Sequence, residues 1–386
     1  MKIQFILADD ILHNTSANIR NSGLIKGLVQ NGHKVHVICL RQSSKRDNGI
    51  QTRVSGAEIS YIIPISSVQE KPSNKHSGKL KRRLVKLYNI FRIYDPNAFI
   101  IRRIDRNLLK FPAPDMVISS SDPRSAHLLA IKIINTNNYN CPFVQYWGDP
   151  MSNDISASLL MRPFLKKAER SLLNKASLVL YTNQITCDNI SKMYGISQRK
   201  VRYIPTACDK DIVEPPQGNV INVGYFGEYY SWRRNIIPLV EAVKSSPNFR
   251  LTLAGTTDVK GIDTVNVTVY PFMDSEKLRG YQDRMDILVI LENKPKKGEE
   301  GNCIQIPGKV FHYGATNKKI LVIEETGLTQ KAFGDYRRYK FCDNDVESIQ
   351  SALADLVDET ALSMITPVED FDPNNVASLL IKYSKI

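Results

Sequence analysis

Short, uninterrupted apolar runs alternate along this chain with segments whose apolar positions recur at helical spacing. Residues 3–8 (IQFILA) break into a polar stretch, residues 22–31 (SGLIKGLVQN) place their apolar side chains on one helical face, and the run 35–40 (VHVICL) follows Gly32. That succession predicts strand, loop, helix, strand. It returns with residues 115–119 (DMVIS), a helix over 124–135 and the run 143–146 (FVQY), and again with 177–181 (SLVLY) before a helix over 188–193. Strands that are apolar on both faces and alternate with helices predict a parallel sheet covered on each side.

The run 201–205 (VRYIP) closes this first series. Residues 209–218 (DKDIVEPPQG) are rich in proline and acids, as an interdomain linker is. A second series opens at 220–226 (VINVGYF) and continues through a helix over 236–245, strands at 250–254 and 267–270, a helix over 275–282, a strand at 287–291 and a final run at 319–323. The expectation is an α/β chain of two Rossmann-like, doubly wound domains facing a cleft. The first covers residues 1–208, with 371–386 crossing back to it as a C-terminal helix (FDPNNVASLLIKY); the second covers 209–370. A length of 386 residues gives each domain room for its own core.

Composition adds a partner. Lys and Arg number 52 against 39 Asp and Glu, a formal net charge of +13, which favours an anionic ligand or surface. Nucleic acid is disfavoured, because no helix-turn-helix, zinc or RNP-like pattern accompanies the charge. The six cysteines are scattered without a CxxC pair or histidines at metal-ligand spacing, which suits reduced thiols in a cytoplasmic protein without a metal site. The opening MKIQFILADD is too short an apolar run for a leader, and no run reaches the ~18 apolar residues of a membrane span, so neither is expected. Residues 79–110 interleave Lys and Arg with Leu, Ile, Phe and Tyr, which predicts one or two amphipathic helices broken near Asp95-Pro96 and suited either to an anionic membrane surface or to ordinary solvation.

Candidate chemistry gathers where strands end, because ligands of doubly wound sheets bind at the carboxyl ends of strands. After the strand at 287–291, a Gly- and Lys-rich loop leads to Ile306, Pro307 and Gly308 and a short helix from Lys309. Helix-start amides, a glycine that lets an anion approach and a lysine charge make a diphosphate seat; the same residues also punctuate an ordinary loop. In the stretch 223–235 (VGYFGEYYSWRRN), Gly227 ends a buried strand, and Arg233 and Arg234 stand either at the same mouth of the sheet or on a solvated face. Asp149, at the end of another strand, can orient an acceptor hydroxyl or act as a base, or simply form an Asp-Pro turn. His13 and His127 are weaker candidates.

The order GYFGEYYSWRR, LTLAG, MDILVILEN and IPGKVFHYGATNKKILVI resembles the donor half of GT-B glycosyltransferases of the family 4 (group 1) type. The first half resembles the same family through the loop with Asn18 and Arg20, GLVQNGHKVHVI, SSSDPRSAHLLAIKII, CPFVQYWGDP and AERSLLNKASLVLYTN; residues 41–110 and most of the last 50 lie outside the likeness. The resemblance implies transfer of a sugar, with retention, from a nucleoside diphosphate sugar to a glycan or polyprenyl-diphosphate-linked saccharide in bacterial surface polysaccharide assembly. No cofactor or metal is implied, and the cytoplasmic face of the membrane would be the place of work. It implies that Gly227, Arg233, Arg234, Pro307, Gly308, Lys309 and His312 bind the donor, and that Asn18, Arg20, Asp122, Trp147 and Asp149 lie on the acceptor side, with Asp149 and Arg234 catalytic. His312 and Ile304 stand where the family has glutamates, Glu228 where a basic residue is common, and Trp147, Gly148 and Asp149 where a histidine is expected. Two other readings stay open: a non-hydrolysing sugar-nucleotide 2-epimerase, which shares this architecture but needs paired acid and base residues that the first-domain strand ends scarcely offer, and a scaffold that has lost its chemistry, favoured by Ile304 and His312.

Overall fold

A computed structural model describes residues 1–40, 47–63, 92–153, 158–214, 216, 218–229, 233–255, 262, 265–273, 275–295, 305–358 and 361–385. They form two compact units, Met1–Ala207 with Pro373–Ile386, and Cys208–Asp372.

In the first unit, β1 (Lys2–Leu7), β2 (Lys34–Cys39), β3 (Glu58–Tyr61), β4 (Met116–Ser120), β5 (Phe143–Tyr146), β6 (Leu178–Tyr181) and β7 (Val201–Tyr203) form a sheet ordered β3-β2-β1-β4-β5-β6-β7. Every pairing is parallel, and Ile3 lies in register with both Val35 and Met116. The helices α1 (Ser16–Gln30), α2 (Asn48–Arg53), α3 (Asn97–Arg103), α4 (Ser125–Asn137), α5 (Arg162–Lys175) and α6 (Gln184–Tyr194) run between the strands. Strand alternation sends Phe5 and Leu7 into one core and Ile6 into the other, so each face of the sheet is sealed.

Local chemistry sets the ends of these elements. Thr15 caps α1 by accepting from the Asn18 N–H, Asn183 caps α6 by accepting from the Thr186 N–H, and Gly195 ends α6 in the left-handed region. Helix α1 begins six residues before the apolar periodicity does, because its first turns bury polar side chains: Asn18, Arg20, Asn21 and Ser22.

The second unit repeats the plan. Strands β8 (Ile221–Phe226), β9 (Phe249–Ala254), β10 (Val267–Tyr270), β11 (Ile287–Leu291), β12 (Lys319–Glu324) and β13 (Lys340–Asp343) form a parallel sheet ordered β10-β9-β8-β11-β12-β13. Between them run α7 (Ile237–Lys244), α8 (Ser275–Gln282), α9 (Lys309–Gly314), α10 (Leu328–Phe333) and α11 (Val346–Asp358). Both sheets therefore reverse direction next to their first strand, between β1 and β4 and between β8 and β11. Those are the places where this architecture opens a crevice for ligands.

Helix α12 (Pro373–Ser384) crosses back onto α1, burying Val376, Ala377 and Leu380 with Leu24 and Leu28 while Asn31 donates to the Asn374 carbonyl. The crossing starts at Pro373 because Phe371 is locked into the second unit's core against Phe311, 5.0 Å between ring centroids. The expected linker is no loose tether where it is described: Asp211 N–H donates to the Ala315 carbonyl and Val213 N–H to Asn317, while Lys210 pairs with Glu369 at 2.7 Å. Of the basic segment 79–110, residues 79–91 lie outside the described residues. The rest forms α3 and a 3-10 turn that bury Ile101, Ile104 and Leu109. No helix among the described residues is long and apolar enough to cross a membrane.

Candidate active site

At the reversal point of the second unit, β8 delivers Gly227, its following loop delivers Arg233 and Arg234, and β11 delivers Glu292 and Asn293. Gly227 has φ 154° and donates its N–H to the Ala254 carbonyl; a Cβ there would lie 2.5 Å from Lys309 Nζ. Only glycine both adopts this backbone and leaves room for the lysine. The Lys309 ammonium lies 5.7 Å from the ring centroid of the buried Tyr225, whose hydroxyl donates to the Glu228 carbonyl at 2.8 Å. Arg234 reaches the same place. Its Nε donates to Asn293 Oδ1 at 2.8 Å and its Nη1 to the Glu228 carbonyl at 3.3 Å.

Two cations are thus held side by side. Burial, and then the neighbouring Arg234 charge, lower the Lys309 pKa to about 8, with Glu228 opposing. Burial raises Tyr225 to about 12, against the pull of Arg234. A group that depresses an ammonium in this way favours an anion beside it, since a bound negative charge relieves both the repulsion and the lost hydration.

Of the backbone groups expected from Pro307 to Lys309, the N–H groups of Gly308 and Lys309 can serve. Helix α9 has six residues; the Val310 and Phe311 N–H groups already donate to the Pro307 and Gly308 carbonyls, and Pro307 has no N–H to give. The full positive charge comes from the lysine side chain. His312 sits one turn beyond Lys309 on the same helix, half-buried, with Nδ1 3.3 Å from Cys208 Sγ. Arg233 contributes its carbonyl, which accepts from the Lys294 N–H at 2.7 Å and ties the two loops together. Ile304 lies outside the described residues.

Glu292 was invisible as a site residue in the sequence, where it reads as the first polar position after ILVIL. It is 2% exposed and accepts from the N–H groups of Glu325, Thr326 and Thr329, fixing the loop after β12. Asn293, which aims Arg234, was missed for the same reason.

In the first unit, the residues expected on the acceptor side divide into struts and exposed groups. Arg20 is buried, with its guanidinium donating to Ser120 Oγ at 3.2 Å and to the Ser121 carbonyl, and lying 4.7 Å from the Tyr146 ring centroid. A Cβ on Gly148 would come within 2.3 Å of that guanidinium, so the loop after β5 closes directly over it. Asn18 is also buried, donating to the Asp10 and His13 carbonyls, and it shapes the loop after β1. The expectation for Trp147 needs correction: it is 0% exposed, donates to Gln145 and packs tilted against His127 with 4.1 Å between ring centroids, so its ring belongs to the core and offers no surface to an acceptor. His127 is fully buried as well, its pKa pushed down to about 3 by burial and then by Arg20, which makes it a neutral structural imidazole.

Asp122 and Asp149 remain at the C-terminal ends of β4 and β5, exposed and half-exposed. Asp122 lies 3.9 Å from Arg124. At the end of β1, His13 Nδ1 meets Asp9 at 3.1 Å. The loop carrying Asp149 is held by Glu169 of α5, another residue the sequence reading passed over. Its buried carboxylate accepts from the Met151 and Ser152 N–H groups and from the Tyr194 hydroxyl, at 2.7, 3.2 and 2.6 Å. Among the described residues, no three His, Cys, Asp or Glu side chains gather as metal ligands would.

Comparison with known proteins bears on the family and the fold. Residues 21–212 match the family described as Glycosyltransferase Family 4. A sucrose-phosphate synthase from Thermosynechococcus elongatus superposes with a TM-score of 0.63 at 12% identity, covering 100% of this chain and 98% of that one. Anabaena Alr3699/HepE in complex with UDP and glucose gives 0.62 at 12% identity, over 99% and 98%. A putative UDP-N-acetylglucosamine 2-epimerase from Listeria monocytogenes gives 0.55 at 11%, over 98% and 94%. No curated protein is similar in sequence. At these identities the likeness is one of fold, and the fold is GT-B, two Rossmann-like units in tandem.

Proposed function

We propose, for a chain whose residues 21–212 carry a Glycosyltransferase Family 4 domain and whose two units have the GT-B fold, that it transfers a sugar from a nucleoside diphosphate donor to a saccharide acceptor. The observation that carries this reading is the pairing of the Lys309 ammonium and the Arg234 guanidinium at the reversal point of the second sheet.

Breaking the bond between the sugar and the diphosphate builds negative charge on the leaving phosphate. Cations fixed in place before the reaction stabilise that charge more strongly in the transition state than in the substrate, which is the requirement for raising the rate. Arg234, aimed by Asn293, and Lys309, admitted by Gly227, are assigned to the diphosphate, with no divalent metal needed for charge balance. Arg233 and the backbone of Gly308 complete the donor side. His312 is assigned to the ribose, where an imidazole offers one hydrogen bond in place of the two of a carboxylate. Asp149, on the loop that Glu169 fixes, is assigned to the acceptor hydroxyl, with Asp122 at the end of the neighbouring strand β4. Asn18 and Arg20 serve as the framework beneath.

Retention at the anomeric carbon, a lipid-linked acceptor, a role in surface polysaccharide assembly at the inner face of the membrane, and independence from cofactors belong to the same proposal. The likeness to a putative epimerase supports a second reading, in which the donor is isomerised without an acceptor.

The test is donor binding by calorimetry with UDP, GDP, ADP and dTDP and their sugars, on the full chain and on Arg234→Ala. Losing a charge-assisted pair weakens diphosphate binding by about 10- to 100-fold while the melting temperature of the free protein holds. Unchanged affinity removes Arg234 from the site. Sugar-nucleotide turnover that proceeds equally without any acceptor supports the isomerase, and tight nucleotide binding with no turnover supports the scaffold.

A further inference from the structure

The turn ahead of α5 and the outer face of that helix carry a surface that the transfer chemistry does not use. Leu159, Leu160 and Phe164 are 63%, 74% and 57% exposed, whereas Met161 and Leu165 from the same stretch go into the core. Scattered exposed apolar residues need no explanation, but three large ones side by side do. Beyond this tip, the outward positions of α5 are cationic: Lys166, Lys167, Arg170 and Lys175 are all exposed. The one acid in the helix, Glu169, is buried and engaged by the Met151 and Ser152 amides, so nothing on α5 itself offsets the charge.

On the same side of the sheet, α3 and its following turn contribute Ile101, Ile104 and Leu109 to the core that also holds Met161 and Leu165. They too expose Arg102, Arg103, Arg106 and Lys110, four cations against the one exposed acid there, Asp105. An apolar tip set in a cationic layer has the chemistry of an interfacial element, with leucine and phenylalanine entering the acyl boundary and lysine and arginine meeting anionic headgroups. A protein partner fits less well, since the cores of protein interfaces are depleted in lysine. A single-stranded nucleic acid fits less well again, because bases stack on aromatic planes and two of the three apolar residues are leucines.

We infer that Leu159, Leu160 and Phe164, with Lys166, Lys167 and Arg170, dock this protein on an anionic lipid bilayer. The back of the same helix anchors the loop carrying Asp149, so docking brings the proposed acceptor loop near the membrane surface. The docking itself does not rest on the transferase reading, and its test needs no turnover.

The experiment is flotation of the full chain with vesicles of phosphatidylcholine alone and of phosphatidylcholine mixed with phosphatidylglycerol. It is repeated with Leu159→Ser/Leu160→Ser/Phe164→Ser and with Lys166→Ala/Lys167→Ala, after thermal unfolding has checked that both variants fold. The expected result is binding to the mixed vesicles only, weakened by salt and reduced about tenfold or more in each variant. Failure of the unaltered chain to float with anionic vesicles overturns the inference, as does flotation that neither variant reduces. A dimer in gel filtration that the triple variant dissociates, without vesicle binding, assigns the face to self-association; retention of an oligonucleotide in place of vesicles assigns it to nucleic acid.

Discussion

Lys309 is where single-residue physics makes the sharpest demand on the proposed donor site. With its pKa lowered to about 8, Lys309 of the free site is charged below that pH and neutral above it, while Arg234 stays charged throughout. A diphosphate alongside favours the ammonium, so the complex keeps the proton to higher pH than the free protein does. Association above about pH 8 therefore takes up a proton, and affinity falls as pH rises through that range. Calorimetry with UDP at about pH 8.5 in two buffers of different ionisation enthalpy is expected to give different heats, with the difference abolished in Lys309→Met. Equal heats in the unaltered protein would separate Lys309 from the ligand. Gly227 makes a complementary demand. Gly227→Ala strains a backbone at φ 154° and drives a methyl into the lysine. It should cost about 1–3 kcal/mol of stability and weaken nucleotide binding together, read by denaturant unfolding and titration.

At the scale of elements, what matters is how loops are fastened to the sheets. The chain after β5 has its conformation set by Glu169 on α5, which satisfies two backbone amides and the Tyr194 hydroxyl. Glu169→Ala leaves those buried donors unpaired, a loss of about 2–4 kcal/mol. A fall in melting temperature with faster amide exchange at residues 148–153 is the expected signature; exchange unchanged there would mean that the loop holds itself. Glu292 does the same for the chain after β12. Both glutamates were unreadable as anchors in the sequence for one reason: a buried carboxylate is recognised by the amides that surround it, and those come from segments distant along the chain. The helices and strands beside them were legible because their signal is local. The strand at 143–146 and the helix over 275–282 coincide with the elements observed, and strands β3 and β13 went unread because they are short, half-buried edge strands of the two sheets.

Across the whole chain, the first unit is completed by its last helix. Val376, Ala377 and Leu380 of α12 are buried against α1, and Arg202 lies 4.5 Å from the Tyr383 ring centroid. Ending the chain after Asp372 exposes that apolar face, a cost of about 5 kcal/mol at 1.5–3 kcal/mol for each large side chain. A large loss of thermal stability is expected. A truncated chain that unfolds at the same temperature as the full one would show that α12 is an accessory, not part of the core.

Hydrophobic periodicity by itself determined that this chain is α/β, that its strands are parallel and that two series follow one another, since each of those properties is set by which positions along a short segment avoid water. It also marked Gly227, Arg234 and Lys309 as candidates, because residues just beyond buried strands stand at the carboxyl edge of such a sheet. Only the tertiary structure decided which candidates meet. Sheet order β8-β11 brings Lys309 to the Tyr225 ring and Arg234 to the Glu228 carbonyl that the Tyr225 hydroxyl also meets, and the same kind of packing takes Trp147 and His127 out of reach of any ligand and turns Arg20 into a strut. A side chain's role depends on whether its polar atoms are already satisfied by neighbours from other elements, and that is settled by the packing of the folded chain, not by any stretch of its sequence.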